Sequence, residues 1–272
     1  MVPCLSTLLL LVSVAFFTLL ERKVLSYLML RKGPNKPSFL GLFTPFADAL
    51  KLLSKPFIFP STCSPHLIVF SCLLSFLIPC QLFSFIYYPS LVWCFEYTVL
   101  GVLIWLSLSV YSLLSAGYGS NSKYSVLGGL RSLAQCISYE VSLTTLLLCY
   151  CTFASFRITS PQPCCFLVLV PHLCLILFVI GLAETNRSPF DFAEGESELV
   201  SGYNVEYSGP GFVVLFLSEY LSILWISCFF TNLCVSGSSL ISMVGFVLPA
   251  FVFIWARGSL PRLRYDQLMS LS

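Results

Sequence analysis

Six of the twelve acidic residues of the chain fall in one stretch of 25 residues, Ala183 to Tyr207: Glu184, Asp191, Glu194, Glu196, Glu198 and Glu206. Arg187 is the one cation inside that stretch and the expected internal partner for them. Asp191, Glu194 and Glu198 are spaced i, i+3, i+7, so on a helix they would share a face and repel. Carboxylates crowded in this way tend to retain protons near neutral pH, which suits them to passing protons. A solvated acidic loop is the plainer reading, but Asn186-Arg187-Ser188-Pro189-Phe190-Asp191, punctuated further on by Gly195 and Gly202, reads as a shaped loop.

Two more carboxylates stand in apolar surroundings: Glu140, within Gln135–Tyr150, and Glu219, within Phe212–Trp225. A charged carboxylate at mid-bilayer costs roughly 2.5–3.5 kcal/mol on insertion scales, so such residues line a polar path, pair, or hold a proton. The plainer alternative is a protonated glutamate bonded between helices. Glu96, near a span end, reads as structural, and His172 as a helix–helix hydrogen bond. With two histidines and no CxxC among thirteen cysteines, no zinc or iron–sulfur site is expected. No GxGxxG-type phosphate loop is present.

These residues sit in a chain of 272 residues that is 57% hydrophobic and 10% charged, where soluble domains carry about 25% charge. An apolar run of about 20 residues spans a bilayer as a helix. Seven runs qualify: Pro3–Leu20, Leu67–Tyr87, Trp93–Ala116, Leu133–Phe153, Cys164–Leu182, Gly211–Val235 and Ser239–Ala256. The expected fold is an all-α polytopic membrane bundle, a single integral membrane domain over residues 1–272. The first run lacks a basic n-region and a cleavage site, so it reads as a retained span.

Alternating spans put thirteen of the fourteen Lys and Arg residues on one side, with Arg157 opposite. The positive-inside rule makes that the inner face, and the acidic loop, residues 183–209, falls there too. So does the loop 21–65. Within it Phe39, Leu42, Phe43, Phe46, Ala49, Leu50 and Leu53 recur at helical spacing opposite Asp48, Lys51 and Lys55, the pattern of an interfacial amphipathic helix. It is either a surface anchor or a mouth for a lipid-soluble molecule. No basic face suited to nucleic acid is present.

Short motifs then occur in order: Glu21-Arg22-Lys23, Arg31-Lys32-Gly33-Pro34-Asn35, Ala47-Asp48-Ala49-Leu50-Lys51, Leu130-Arg131-Ser132-Leu133-Ala134-Gln135, Ser138-Tyr139-Glu140-Val141, Ala183-Glu184-Thr185-Asn186-Arg187-Ser188-Pro189-Phe190-Asp191, Glu194-Gly195-Glu196-Ser197-Glu198, Asn204-Val205-Glu206-Tyr207 and Tyr265-Asp266-Gln267-Leu268. Across the whole chain this resembles the family of membrane subunit 1 of respiratory complex I. The resemblance implies a subunit of a proton-translocating NADH:ubiquinone reductase with no redox centre of its own. Ubiquinone is the substrate, and iron–sulfur clusters and FMN belong to partner subunits. Peripheral-arm quinone-module subunits would dock on the inner face and small membrane-arm subunits laterally.

On the same resemblance, Arg22, Arg31, Asp48, Lys51, Arg187 and Phe190 line or shape the ubiquinone chamber. Glu140, Glu184, Asp191, Glu194, Glu196, Glu198, Glu206 and Glu219 supply a proton or charge relay into the membrane arm. The family has eight spans, the last after the Tyr-Asp-Gln-Leu motif, whereas this chain stops at Ser272; a partial sequence or a missing last span is the expectation. Lys36-Pro37-Ser38 replaces the family's small apolar insert, which bears on the chamber mouth. Composition favours the mitochondrial inner membrane over a bacterial plasma membrane. A secondary transporter would show inverted repeats, and none is seen. A hydrogenase membrane anchor would keep similar glutamates without quinone, and a purely structural anchor would tolerate leucine at Glu140 and Glu219.

Overall fold

Within hydrocarbon every backbone N–H and C=O must be satisfied inside the chain, which leaves helix as the solution for these apolar runs. The computed structural model describes residues 2–37, 39–87, 98–153, 170–191, 202–204, 206–234, 239–264, 266, 267 and 270. In chain order the helices are α1 (Val2–Leu28), α2 (Thr44–Leu53), α3 (Pro65–Tyr87), α4 (Thr98–Ser120), α5 (Lys123–Phe153), α6 (Pro171–Glu184), α7 (Gly209–Cys234) and α8 (Ser239–Ser259), with 3-10 turns at Phe39–Gly41 and Gly202–Asn204. No β-strand occurs among the described residues. Each of the seven apolar runs falls wholly or partly on one of these helices; α3, α4, α5 and α7 are individually long and apolar enough to cross a membrane, while α6 and Gly245–Ser259 are shorter apolar helices.

Helix α7 is the hub: it packs against α1, α2, α3, α6 and α8, and its Leu221 and Trp225 are fully buried. Serines are frequent in these helices, and nearly all spend their hydroxyl hydrogen on their own backbone three residues back, as in Ser75 to Cys72 O and Ser218 to Leu215 O. That disposes of the donor and lets a polar residue sit in an apolar helix.

Two expectations change. The fourth run begins ten residues earlier than hydropathy indicates, because α5 starts at Lys123; at about 1.5 Å per residue its 31 residues exceed the roughly 30 Å hydrocarbon core. The amphipathic helix starts later than its periodicity suggests. Leu40 and Gly41 both take positive φ, a Cβ on Gly41 would strike the Pro34 carbonyl, and the helix opens at Thr44 with Pro45 in its first turn. Phe39, Leu42, Phe43, Phe46, Leu50 and Leu53 are exposed.

One end of the bundle is knitted together. The Ser64 N–H donates to Gly119 O at 3.0 Å, and Ser208 Oγ both accepts from Ile58 N–H and donates to Ile58 O. The Tyr207 hydroxyl is 2.9 Å from Ser71 Oγ and 3.3 Å from Ala116 O; burial pushes its ionisation above the ordinary tyrosine range, so it remains a donor. Gly128 of α5 lets the 202–204 turn seat against the helix, since a Cβ there would lie 3.0 Å from Gly202 Cα. The obstructing atom is backbone, so we expect Gly128→Val to destabilise the protein by about 1–3 kcal/mol through overpacking, read as a lower thermal-unfolding midpoint of the assembled enzyme; an unchanged midpoint would contradict this packing.

Candidate functional site

The segment after α6 is built by its own sequence. Asn186 takes φ 49°, a conformation asparagine tolerates. The Asn186 N–H donates to Ala183 O and the Arg187 N–H to Leu182 O, the paired bonds that close a helix C-terminus. Fully buried Gln135 of α5 then clamps both arms of the turn, its Nε2 donating to Ala183 O at 2.8 Å and Phe190 O at 3.0 Å. The chain near its other end completes the frame: the Leu263 N–H donates to Pro189 O at 3.1 Å, and Arg262 Nη2 lies 3.4 Å from Asp191 Oδ2.

The turn aims Arg187 at Glu21. Glu21 Oε1 accepts from Arg187 Nη1 at 3.4 Å and from Arg257 Nη1, so the C-terminal ends of α1 and α8 and the segment after α6 meet in one ion cluster. Glu21 is 5% exposed. Burial opposes the charge of Arg187 most strongly of any single influence, but Glu21, Tyr220 and Glu219 together outweigh it and hold the guanidinium more firmly charged than usual. The Arg187 guanidinium also lies 4.5 Å from the centre of the Tyr220 ring. Glu21 Oε2 and Arg187 Nη2 are buried without a hydrogen-bond partner, an arrangement that suits a polar ligand or water. The space between Phe17, Glu21, Arg187, Phe253, Ile254 and Arg257 is about 10 Å³, the size of one water. This chain alone therefore does not enclose a quinone ring there.

A second, larger cavity of about 90 Å³ begins immediately before Arg187. Glu184, Thr185 and Asn186 line it from the α6 end, Glu219, Ser218, Ser222 and Trp225 from α7, Ser109 and Ser112 from α4, and Tyr203 from the 3-10 turn. The Tyr203 hydroxyl donates to Glu219 Oε1 at 2.5 Å. Glu140 is half-buried on α5, one turn beyond the cavity-lining Cys136, and interacts electrostatically with Glu184. Arg187 likewise feels Glu219. Glu184 and Glu219 thus line one cavity, with Glu140 one turn of α5 beyond it.

The remaining expected residues are dispersed. Asp191 is buried and paired with Arg262, 71 residues on, while Arg187 pairs with Glu21, so among the described residues Asp191 does not take Arg187 as its partner. Phe190 is buried against Tyr139, with ring centres 5.8 Å apart. Arg22 and Asp48 pair with each other at 2.6 Å on the surface. Arg31 and Lys51 are exposed, and Glu206 is half-buried. Glu194, Glu196 and Glu198 lie outside the described residues. Missed by sequence reasoning were the pairing of Glu21 with Arg257, the Gln135 clamp and the Tyr203 contact. The signal available was a glutamine inside an apolar run; the other two depend on residues brought together only by folding.

The comparisons with known proteins bear on the whole of this architecture. The profile described as NADH dehydrogenase matches residues 2–272. NADH-ubiquinone oxidoreductase chain 1 of Aedes aegypti is 47% identical over 270 residues, covering 96% of this chain and 86% of the relative. The protein of the same name from Artemia franciscana is 48% identical over 271 residues, covering 96% and 88%. That from Lampetra fluviatilis is 42% identical over 278 residues, covering 97% and 87%. A full-length match to the profile together with identities at this level places the chain plainly in the NADH dehydrogenase family, alongside the chain 1 proteins of NADH-ubiquinone oxidoreductase.

Proposed function

We propose that this protein is a core membrane subunit of respiratory complex I, multi-pass in the mitochondrial inner membrane, and that it couples ubiquinone reduction to proton translocation. The observation that carries this reading is the continuity of two sites: Glu184, Thr185 and Asn186 line the carboxylate cavity, and the next residue, Arg187, enters the ion cluster with Glu21.

Reducing a quinone to a quinol takes two electrons and two protons. The electrons come from partner subunits, which hold the iron–sulfur clusters and FMN. Arg187 and Arg257 supply fixed positive charge at the cluster, and a negative charge arriving beside them in a poorly screened space is felt over several Å. Coupled carboxylates titrate as a group, so a change at the cluster shifts the proton balance of Glu219 and Glu184 and, through them, Glu140. The small space on this chain agrees with a chamber completed by other subunits. Exposed Arg22, Asp48, Arg31 and Lys51 would then lie at its mouth or against the partners, and Phe190 would shape it from behind through Tyr139. Asp191, Glu194, Glu196, Glu198 and Glu206 extend the relay along the acidic loop.

Glu140→Gln tests the relay. In the assembled enzyme, reconstituted in vesicles, quinone reduction is expected to persist while proton translocation per NADH falls. Full translocation in that variant would remove Glu140 from the relay.

A further inference from the structure

The cavity between α3, α4, α6 and α7 has an uneven chemistry. Ser75, Ser109, Ser112, Ser218 and Ser222 line it, and each donates its hydrogen to a backbone carbonyl three residues earlier. What they turn toward the space is lone pairs, and Glu184 and Glu219 add acceptor oxygens. The indole Nε1–H of Trp225 and Oδ1 of Asn186 are buried without partners, and both residues line the cavity. A cavity of about 90 Å³, with these polar groups set into a mostly apolar lining, has room for several waters, since one needs about 10–15 Å³ by the same measure.

Tyr203 stands apart from the serines. Its donor goes to a side chain on another element, Glu219 of α7. The ring is held by packing: it is 3% exposed, within a cluster formed with Ile68, Cys72, Ala116, Tyr207 and Leu215. Its turn is seated by the Gly202–Gly128 contact, with Gly202 at φ 60°. An ionised carboxylate can only accept from the phenol; a protonated one can also donate, and the phenol oxygen can then accept. Protonation of Glu219 therefore weakens the bond that it accepts from the phenol, or lets that bond reverse, and the residue that feels the change sits on the 202–204 turn.

We propose that Tyr203 is a positioning residue that ties the charge state of Glu219 to the seating of the 202–204 turn, so that protonation at the cavity and the packing of that turn against α5 are coupled. This rests on the relay reading above and deepens it. No proton passes through Tyr203, which keeps its own. Protons reach and leave Glu219 by way of the cavity.

Tyr203→Phe keeps the packed ring and removes the hydroxyl. In the assembled enzyme reconstituted in vesicles, quinone reduction without a membrane potential is expected to stay within about twofold of the wild type. The pH profile of proton translocation is expected to move by roughly one unit, the scale of a lost hydrogen bond to a charged group. Glu219→Leu, which removes the acceptor of the Tyr203 hydroxyl, and the double variant complete a cycle read as the thermal-unfolding midpoint of the assembled enzyme. If Tyr203 acts through Glu219, adding Tyr203→Phe to Glu219→Leu costs nothing more. Additive effects, or a Tyr203→Phe profile identical to the wild type, would overturn the proposal. Rates are normalised to assembled enzyme, and a profile displaced in whatever fraction assembles still supports it. The two levels separate cleanly: unimpaired translocation in Glu219→Gln defeats the relay reading itself, whereas impairment there with an unaltered Tyr203→Phe defeats only the role of Tyr203.

Discussion

Glu21→Gln is expected to cost the assembled enzyme most of its quinone reduction and to lower its thermal stability. The carboxylate is buried and faces two guanidinium groups, Arg187 and Arg257. Removing one partner of a buried ion pair leaves uncompensated charge and typically costs about 3–5 kcal/mol. Glutamine still offers an oxygen to one arginine, so the lower half of that range is expected, equivalent to a drop of about a hundredfold or more where it falls wholly on a rate. Arg257 is partly exposed, with 31% of its side chain accessible, and water can take over some of its solvation. Arg187, at 14%, has less recourse and is expected to swing from its place over Tyr220. The control is the paired variant Glu21→Gln with Arg257→Gln, which restores charge balance. It should recover part of the lost stability, with a coupling of about 1–3 kcal/mol. Wild-type stability and turnover in Glu21→Gln would show that the cluster is incidental.

Glu219→Gln and Glu184→Gln should separate the two halves of the activity more sharply than any surface change. Both residues line the same cavity, and glutamine keeps their size and an acceptor oxygen while abolishing protonation. A positioned group that passes a proton typically contributes about a hundredfold or more. Proton translocation is therefore expected to fall to the background leak, while NADH oxidation with a quinone acceptor continues once the proton gradient is dissipated. Glu219→Leu, by contrast, also removes the acceptor of the Tyr203 hydroxyl and should add a stability loss. The pair of variants distinguishes a proton-carrying glutamate from a merely structural one: a structural role predicts that leucine and glutamine differ in stability alone, with translocation intact in both.

The helical architecture was legible because hydrocarbon admits few backbone solutions and because the apolar runs are long. Hydropathy could not place the start of α5, since Lys123 to Arg131 includes charge yet packs as helix, with Gly128 and Gly129 against the 202–204 turn and α4. Glu140 and Glu219 could be singled out because a carboxylate in apolar surroundings needs a reason to be there, and Glu184 because it opens the acidic stretch. Their gathering at or beside one cavity could not be, because it depends on how α5, α6 and α7 pack. Arg257 looked like one of many charges on the basic face. Only the crossing of α1 and α8 brings it to Glu21, 236 residues away. Arg22 and Asp48 were named only through the resemblance, and they bond to each other in the open, a pairing that their sequence separation did not disclose.

Photolabelling tests the central claim most directly: that a lipid-soluble quinone is received at the end of the bundle where α1, α8 and the segment after α6 meet. An azido-ubiquinone would be irradiated in the assembled enzyme with and without a competing quinone, and the labelled peptides of this chain mapped. Label displaced by competitor should fall within residues 21–51 and 184–191. Competitor-sensitive label confined to the far ends of the helices, residues 141–153 and 226–234, would contradict it.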